Sequence, residues 1–259
     1  MYMEWATKRR IIFITIALGI FGVIGLIIYY LNFYQAPTCF DGIQNQGEEG
    51  IDCGGNCVIV CSDQIAKPII LWQRSFESTP GVYNAVAYVE NTNSDLGVEQ
   101  ATYRFTLYDD KNIFITERIG KTFIAPNEKF AVFEARFSVG MRIPKKTTFE
   151  FITFTPWKKF TGEKPALSVY GEQVNNADTK PRVSAIMENL QLTPVKKIQV
   201  TAVVYDSEDN AIASSATIVD KVLSQSSYNL VFTWLQPFRV PPVRVEIIPR
   251  VNPFVESAP

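Results

Sequence analysis

Hydrophobic side chains follow one another without a charged residue from Ile11 to Tyr30. A helix rises about 1.5 Å per residue, so about 20 residues cover the roughly 30 Å hydrocarbon core of a bilayer. In lipid, a single helix also satisfies all of its own backbone hydrogen bonds. The pattern therefore predicts one transmembrane helix near the N-terminus.

The charges beside this run predict its orientation. Lys8, Arg9 and Arg10 precede it, whereas residues 31–35 carry no positive charge. The positive-inside rule then places the N-terminus in the cytoplasm and the bulk of the chain outside the cell membrane. A cleaved signal peptide is the alternative, but its apolar region spans only about 7–15 residues. We expect an uncleaved, single-pass anchor whose first partner is the lipid bilayer.

From residue 67 onwards the period of the pattern changes to two. Apolar and polar side chains alternate along 82–89, 101–108 and 148–154, and Gly, Pro, Asn and Asp interrupt the runs. Alternation with turn residues about every 8–12 positions is typical of an all-β sandwich. We therefore predict an all-β fold for this part of the chain.

The strand pattern occurs twice, with a spacing of 97 or 98 residues. Val89-Glu90-Asn91 matches Met187-Glu188-Asn189, and the segment 107–112 matches 204–210. Such a period suits tandem domains and is too long for a solenoid repeat. We predict four segments: a cytoplasmic tip and transmembrane helix at 1–36, a cysteine-rich module at 37–63, and β-sandwiches at 64–161 and 162–259.

Composition excludes several classes of function. The chain contains no histidine, which removes Ser-His and Cys-His dyads, His-containing zinc sites and the usual acid/base group near neutral pH. Its 25 Lys and Arg residues balance 26 Asp and Glu residues, so it lacks the basic excess of a nucleic-acid-binding surface. We expect a non-enzymatic protein without a nucleic-acid partner.

All four cysteines, Cys39, Cys53, Cys57 and Cys61, lie in one short stretch. Outside the cell such cysteines form disulfides, and four of them allow three pairings between which the sequence does not choose. A Cys₄ zinc site is an alternative, although the spacing differs from the paired arms of zinc ribbons.

The same stretch is rich in glycine and in side-chain oxygens, at Asp41, Asn45, Glu48 and Asp52. Calcium takes six to eight oxygen ligands, so these residues predict a structural Ca²⁺ site. The alternative is a disulfide-stapled turn whose Asp and Asn side chains accept local backbone N–H groups. Residues 39–57 resemble a short motif of bacterial surface proteins, C-x-D-G-x-x-N-x-x-E-x-G-x-D-C-G-G-x-C, and this resemblance implies an extracellular, calcium-stabilised spacer.

Phe105-Thr106-Leu107-Tyr108-Asp109 matches the F-x-L-Y-D signature of a family of bacterial and archaeal extracytoplasmic domains. The second repeat is similar but has Ala202 and Val204 in place of Phe and Leu. The resemblance implies two tandem immunoglobulin-like β-sandwiches and no enzymatic activity. From the pattern itself we expect Phe105 and Leu107 to face the core and Asp109 to begin a turn.

Together these features predict a membrane-anchored extracytoplasmic structural or binding protein. We expect a surface-displayed subunit of an envelope or adhesin-like assembly, with other envelope or surface proteins as partners. The alternative is an accessory ligand-sensing ectodomain that works with a membrane partner. A carboxylate-based hydrolase would require a large acid-lined cleft.

Overall fold

The computed structural model of the chain describes residues 5–33, 38–45 and 47–254. Three parts of the predicted domain organisation lie outside the described residues: residues 1–4 of the cytoplasmic tip, the boundary at 36–37, and residues 255–259 of the second sandwich. The chain divides into an N-terminal unit, 1–57, and a C-terminal unit, 58–259.

Helix α1 occupies Trp5–Phe33 in the N-terminal unit. Its segment Thr7–Asn32 has a mean hydropathy of 3.0 and is not buried against other parts of the protein. The Thr15 hydroxyl donates to the Ile11 carbonyl at 2.9 Å, and the Asn32 side-chain amide donates to the Ile28 carbonyl at 2.8 Å, so both polar groups bond to the helix itself. The predicted helix is confirmed, and it is long and apolar enough to span a membrane.

The C-terminal unit is built from β-strands. Within the described residues there are thirteen: β1 (Ile69–Thr79), β2 (Val82–Asn91), β3 (Leu96–Tyr108), β4 (Phe114–Ile124), β5 (Glu128–Ser138), β6 (Lys146–Phe154), β7 (Lys158–Lys159), β8 (Leu167–Asn175), β9 (Arg182–Asn189), β10 (Val195–Tyr205), β11 (Ala211–Val222), β12 (Ser227–Thr233) and β13 (Arg244–Arg250). A single 3₁₀ turn, Ser62–Gln64, precedes them.

The strands form two sets with the same topology. Strands β1–β6, here called repeat 1, form the sheets β1-β2-β5 and β4-β3-β6, and short β7 adds to β3. Strands β8–β13, here called repeat 2, form the sheets β8-β9-β12 and β11-β10-β13. The named pairings are all antiparallel. Adding seven to each strand number of repeat 1 therefore gives repeat 2.

Each repeat has a hydrophobic core to which both of its sheets contribute. In repeat 1, Phe105 and Leu107 of one sheet meet Phe130 and Phe137 of the other, and Phe105 and Leu107 are fully buried. Burial of each such side chain contributes about 1.5–3 kcal/mol. The predicted core-facing positions in the F-x-L-Y-D segment are confirmed.

A buried asparagine holds the same loop in each repeat. The Asn91 side-chain amide donates to the carbonyls of Leu96 and Ala125, at 2.9 and 2.8 Å. Asn189 makes the equivalent bonds in repeat 2, at 2.8 and 2.9 Å. Both side chains are fully buried. Because buried polar groups need partners, each asparagine fixes its loop to the sheet edge.

The acidic hairpin residues shape turns, as predicted. Asp109 Oδ1 accepts the N–H groups of Lys111 and Ile113, at 2.9 and 2.8 Å. Asp206 Oδ1 accepts the two equivalent N–H groups of repeat 2, each at 2.9 Å. This is the side-chain-to-backbone bonding that favours Asp at turns.

Candidate functional site

The cysteines are all disulfide-bonded. Cys39 pairs with Cys57, and Cys53 and Cys61 are also in disulfide bonds, so the described chain contains no free cysteine. The predicted disulfides are confirmed. A Cys₄ zinc site needs four thiolates, and these bonds leave none.

The predicted calcium ligands Asp41 and Asp52 bind the loop backbone. Asp52 Oδ1 accepts the N–H of Asp41 at 2.9 Å, and Asp52 Oδ2 accepts that of Gly42 at 2.9 Å. Asp41 accepts the N–H of Thr38 at 3.0 Å and the side-chain amide of Asn45 at 2.9 Å. These two donors hold the pKa of Asp41 below its usual value, because they stabilise the ionised carboxylate.

Glu48 is the buried acid of this loop. Its Oε2 accepts the N–H groups of Asn45 and Asp52, at 3.3 and 3.2 Å, and its Oε1 lies 3.1 Å from Cys57 Sγ. Cys39, Glu48 and Cys57 bring possible ligand atoms within 4.8 Å of one another. Both sulfurs are in one disulfide, however, so this group offers a metal a single carboxylate and no thiolate.

The four predicted calcium ligands therefore lie in one loop, but their oxygens are largely directed at backbone donors. Among them, Asn45 Oδ1 is the one buried oxygen in the described loop that has no hydrogen-bond partner. Calcium requires several oxygens that converge on the ion. As they stand, the residues fit the alternative of a stapled turn better than a calcium cage, and calcium binding stays a prediction.

In the C-terminal unit, a third hydrophobic cluster joins the two repeats. Its buried members are Val86 and Ala131 from repeat 1 and Val203, Tyr205 and Ala211 from repeat 2. The Trp72 ring of repeat 1 lies at its margin, stacked on Tyr88 at 5.6 Å and edge-on to Tyr205 at 6.3 Å. We call this set the inter-repeat cluster.

A shared carboxylate adds polar bonds beside this cluster. Glu246 of repeat 2 accepts the hydroxyl of Tyr88 at 2.6 Å and that of Tyr205 at 3.1 Å. Burial, and then the nearby Glu246 carboxylate, raise the pKa of both phenols. Both tyrosines therefore remain protonated donors well above neutral pH. The Arg244 guanidinium lies 3.8 Å from the centre of the Tyr205 ring.

A buried ion pair also crosses between the repeats. Arg250, only 3% exposed, donates to Glu128 at 2.9 and 3.2 Å and to the Phe123 carbonyl at 2.8 Å. Its guanidinium lies 3.9 Å from the centre of the Phe130 ring. A buried charge that is paired and hydrogen-bonded is costly to disrupt, so these bonds fix the position of one repeat against the other.

Sequence reasoning missed this interface. The signal was available in part, because Tyr88 and Tyr205 are large aromatics at strand positions that alternate with core residues. Such positions face away from their own core, and aromatic side chains there indicate a second packed surface.

A groove of about 650 Å³ also lies between the repeats. Residues 73–78 of β1 and 211–214 of β11 line it, together with the loop residues 143–145 and 236–240. Both β1 and β11 are edge strands, each paired with one neighbour. The volume is within the usual range for ligand sites, about 300–1,000 Å³.

The groove has mixed chemistry. Its charged side chains are Arg74, Glu77, Lys145 and Arg239, and Glu77 is paired with Arg239. Trp234 contributes an indole N–H that is buried without an acceptor. The groove therefore contains one carboxylate, already neutralised by an arginine, and does not supply the two facing carboxylates of a glycoside hydrolase.

No protein-family model and no curated protein matches the chain. Solved structures that match include a transglutaminase from red sea bream, which is 11% identical with a TM-score of 0.20. The match covers 70% of this chain and 29% of the transglutaminase, so the chain spans less than a third of that protein. A similarity at this level carries no argument about function.

Proposed function

We propose that the protein is a membrane-anchored, extracytoplasmic structural or binding protein that presents two immunoglobulin-like β-sandwiches as one rigid body. Helix α1 supports the anchor, since it is long and apolar enough to cross a bilayer. The antiparallel sheets that share a core in each repeat support the sandwiches. The disulfides support an oxidising exterior.

The observation that carries the proposal is the interface between the repeats. Tandem domains commonly move relative to one another unless their interface is large and hydrophobic. Here the inter-repeat cluster, the Glu246 bridge and the Arg250–Glu128 ion pair all resist such motion. A preordered surface loses little conformational entropy when a partner binds, which suits a docking or scaffold role.

The chemistry of the groove supports a binding role over an enzymatic one. The chain lacks histidine, and the groove holds one carboxylate paired to Arg239. Its walls instead include two edge strands, β1 and β11, and an exposed strand edge binds extended polypeptide through main-chain hydrogen bonds. We propose another envelope or surface protein as the partner and this groove as its docking site.

Site-specific photo-crosslinking tests the docking site. A benzophenone amino acid is placed at Gln236 in the groove or, as the matched control, at exposed Gln173 on β8, in the full chain in its native membrane. We expect a discrete protein adduct from position 236 and none from 173. Equal labelling from both positions would contradict the groove as the docking site. A small-molecule adduct from 236 alone would favour the ligand-sensing ectodomain.

Protease added to intact cells tests the topology. We expect the C-terminal unit to be removed while a fragment that contains α1 stays in the membrane. A chain that remains intact under these conditions would contradict extracytoplasmic placement.

A further inference from the structure

Two neighbouring loops of repeat 1 expose a group of apolar side chains. Ile113 and Phe114 follow the β3–β4 turn, and Met141 and Ile143 lie in the β5–β6 loop. Their exposed fractions are 51, 50, 102 and 59%, so Met141 makes essentially no contact with the rest of the protein. We call these four residues the apolar tip.

The loops that carry the tip are held in place. Arg142 donates from its guanidinium to the Phe114 carbonyl at 2.9 Å, which ties the two loops together. The N–H of Lys145 donates to the Tyr108 carbonyl at 2.8 Å, and Asp109 fixes the turn before Ile113. The apolar side chains are therefore presented on an ordered base.

Basic residues outnumber acidic residues beside the tip. The two loops and the first residue of β6 contain four basic residues, Lys111, Arg142, Lys145 and Lys146, and two acidic residues, Asp109 and Asp110. Within the described chain none of the four basic side chains forms an ion pair. Asp109 Oδ1 is occupied by two backbone N–H groups. The surface around the tip therefore carries a surplus of unpaired cations.

Exposed apolar side chains beside a surplus of cations match an anionic lipid surface. The apolar groups enter the boundary between headgroups and acyl chains, and the cations meet phosphate groups. Under the proposed anchor α1 holds the chain at a lipid bilayer, so a lipid surface is present beside the protein. We propose that the apolar tip docks onto anionic phospholipid of the membrane that holds α1.

This inference rests on the proposed membrane anchor and adds a second contact with lipid. Such a contact would restrict the orientation of the C-terminal unit on the membrane. An exposed apolar patch that instead binds a protein would not depend on lipid charge, and the experiment separates the two.

The test is amide hydrogen exchange on the full chain reconstituted into vesicles. One set contains phosphatidylcholine alone, and the other contains phosphatidylcholine with phosphatidylglycerol. We expect amides of 109–114 and 139–146 to exchange about tenfold more slowly on the anionic vesicles. We expect 0.5 M salt to remove this protection, because screening weakens surface electrostatics.

A variant and a matched control complete the test. Met141→Asp with Ile113→Asp should abolish the protection, while Leu192→Asp, at another exposed apolar loop residue, should leave it unchanged. Unaltered exchange in β2 and β9 shows that the variants are folded. If the parent floats with the vesicles but its loops exchange equally on both lipids, the tip proposal is wrong and the anchor stands. If the parent does not float with the vesicles, both the anchor and the tip proposal are wrong.

Discussion

The hydroxyl of Tyr88 in repeat 1 donates a 2.6 Å hydrogen bond to the carboxylate of Glu246 in repeat 2. The second oxygen of that carboxylate accepts the hydroxyl of Tyr205 at 3.1 Å. One acid therefore satisfies a phenol from each repeat, at the margin of an apolar contact that already joins them. The two repeats are coupled both by hydrophobic burial and by a specific polar bridge.

Removal of this acid should weaken the coupling. Glu246→Ala leaves the Tyr88 and Tyr205 hydroxyls without their acceptor, and an unsatisfied buried donor costs about 1–3 kcal/mol. We expect the free energy of unfolding in urea to fall by about that amount. Glu172→Ala, at an exposed position on β8, is the matched control and should be neutral. Equal stability of the two variants would show that the bridge contributes nothing.

The same tyrosines predict a loss of stability at alkaline pH. Burial, and then Glu246, raise the pKa of Tyr88 and Tyr205 in the folded state, while unfolded tyrosine ionises near pH 10. Above about pH 10 the unfolded chain thus binds fewer protons than the folded chain, and the free energy of unfolding falls as pH rises. This contribution is fully present below about pH 10.

Chemical denaturation between pH 8 and 11.5 measures that slope. We expect a shallower decline in the Tyr88→Phe, Tyr205→Phe double variant, because two of the shifted groups are gone. Some decline should persist, since burial also raises the pKa of Tyr103. Identical slopes in the parent and the double variant would show that Tyr88 and Tyr205 do not cause the loss of stability at alkaline pH.

The buried ion pair gives a larger expected effect. Arg250→Ala leaves Glu128 without the guanidinium that pairs with it, and breaking a buried pair costs about 3–5 kcal/mol. Arg104→Ala is the control, because Arg104 is part-exposed and lies 3.6 Å from each of Glu117 and Glu150. A part-exposed pair of this kind contributes at most about 1 kcal/mol. The free energy of unfolding in urea should fall more for Arg250→Ala than for Arg104→Ala. The reverse order would contradict a stabilising ion pair between the repeats.

The cysteine-rich loop offers a test of calcium. Asp52→Ala removes the acceptor of the Asp41 and Gly42 N–H groups, so the amides of residues 41 and 42 should exchange faster whether or not Ca²⁺ is present. Amide exchange rates of the same loop in the parent protein, measured in Ca²⁺ and in chelator, then show whether the loop binds Ca²⁺. Slower exchange in Ca²⁺ is what the sequence-based calcium prediction requires. Identical exchange would leave the stapled turn as the explanation of this loop.

Local features of the fold were predictable because short-range physics determines them. The burial of Phe105 and Leu107 follows from the alternating pattern, and the turn at Asp109 follows from its side-chain chemistry. In each case the residues that decide the structure lie close together in sequence.

The interface between the repeats was not predictable in the same way. Glu128 and Arg250 are separated by 122 positions, and no local pattern relates them. The hydrophobic pattern marks Tyr88 as an outward-facing position but does not say which surface covers it. Likewise, carboxylates in a glycine-rich loop are compatible with both a metal cage and a stapled turn. The choice depends on where each oxygen points, as the backbone bonds of Asp52 illustrate.

The measurement that tests the central claim most directly is the unfolding of each repeat within the full chain. Pulsed amide exchange across a urea series measures the protection of β2 in repeat 1 and of β9 in repeat 2 separately. If the repeats form one rigid body, both strands should lose protection at the same urea concentration in the parent. The urea midpoints of the two strands should differ in the Glu246→Ala, Arg250→Ala double variant. Two well-separated midpoints in the parent would contradict the account, because the repeats would then be independent domains.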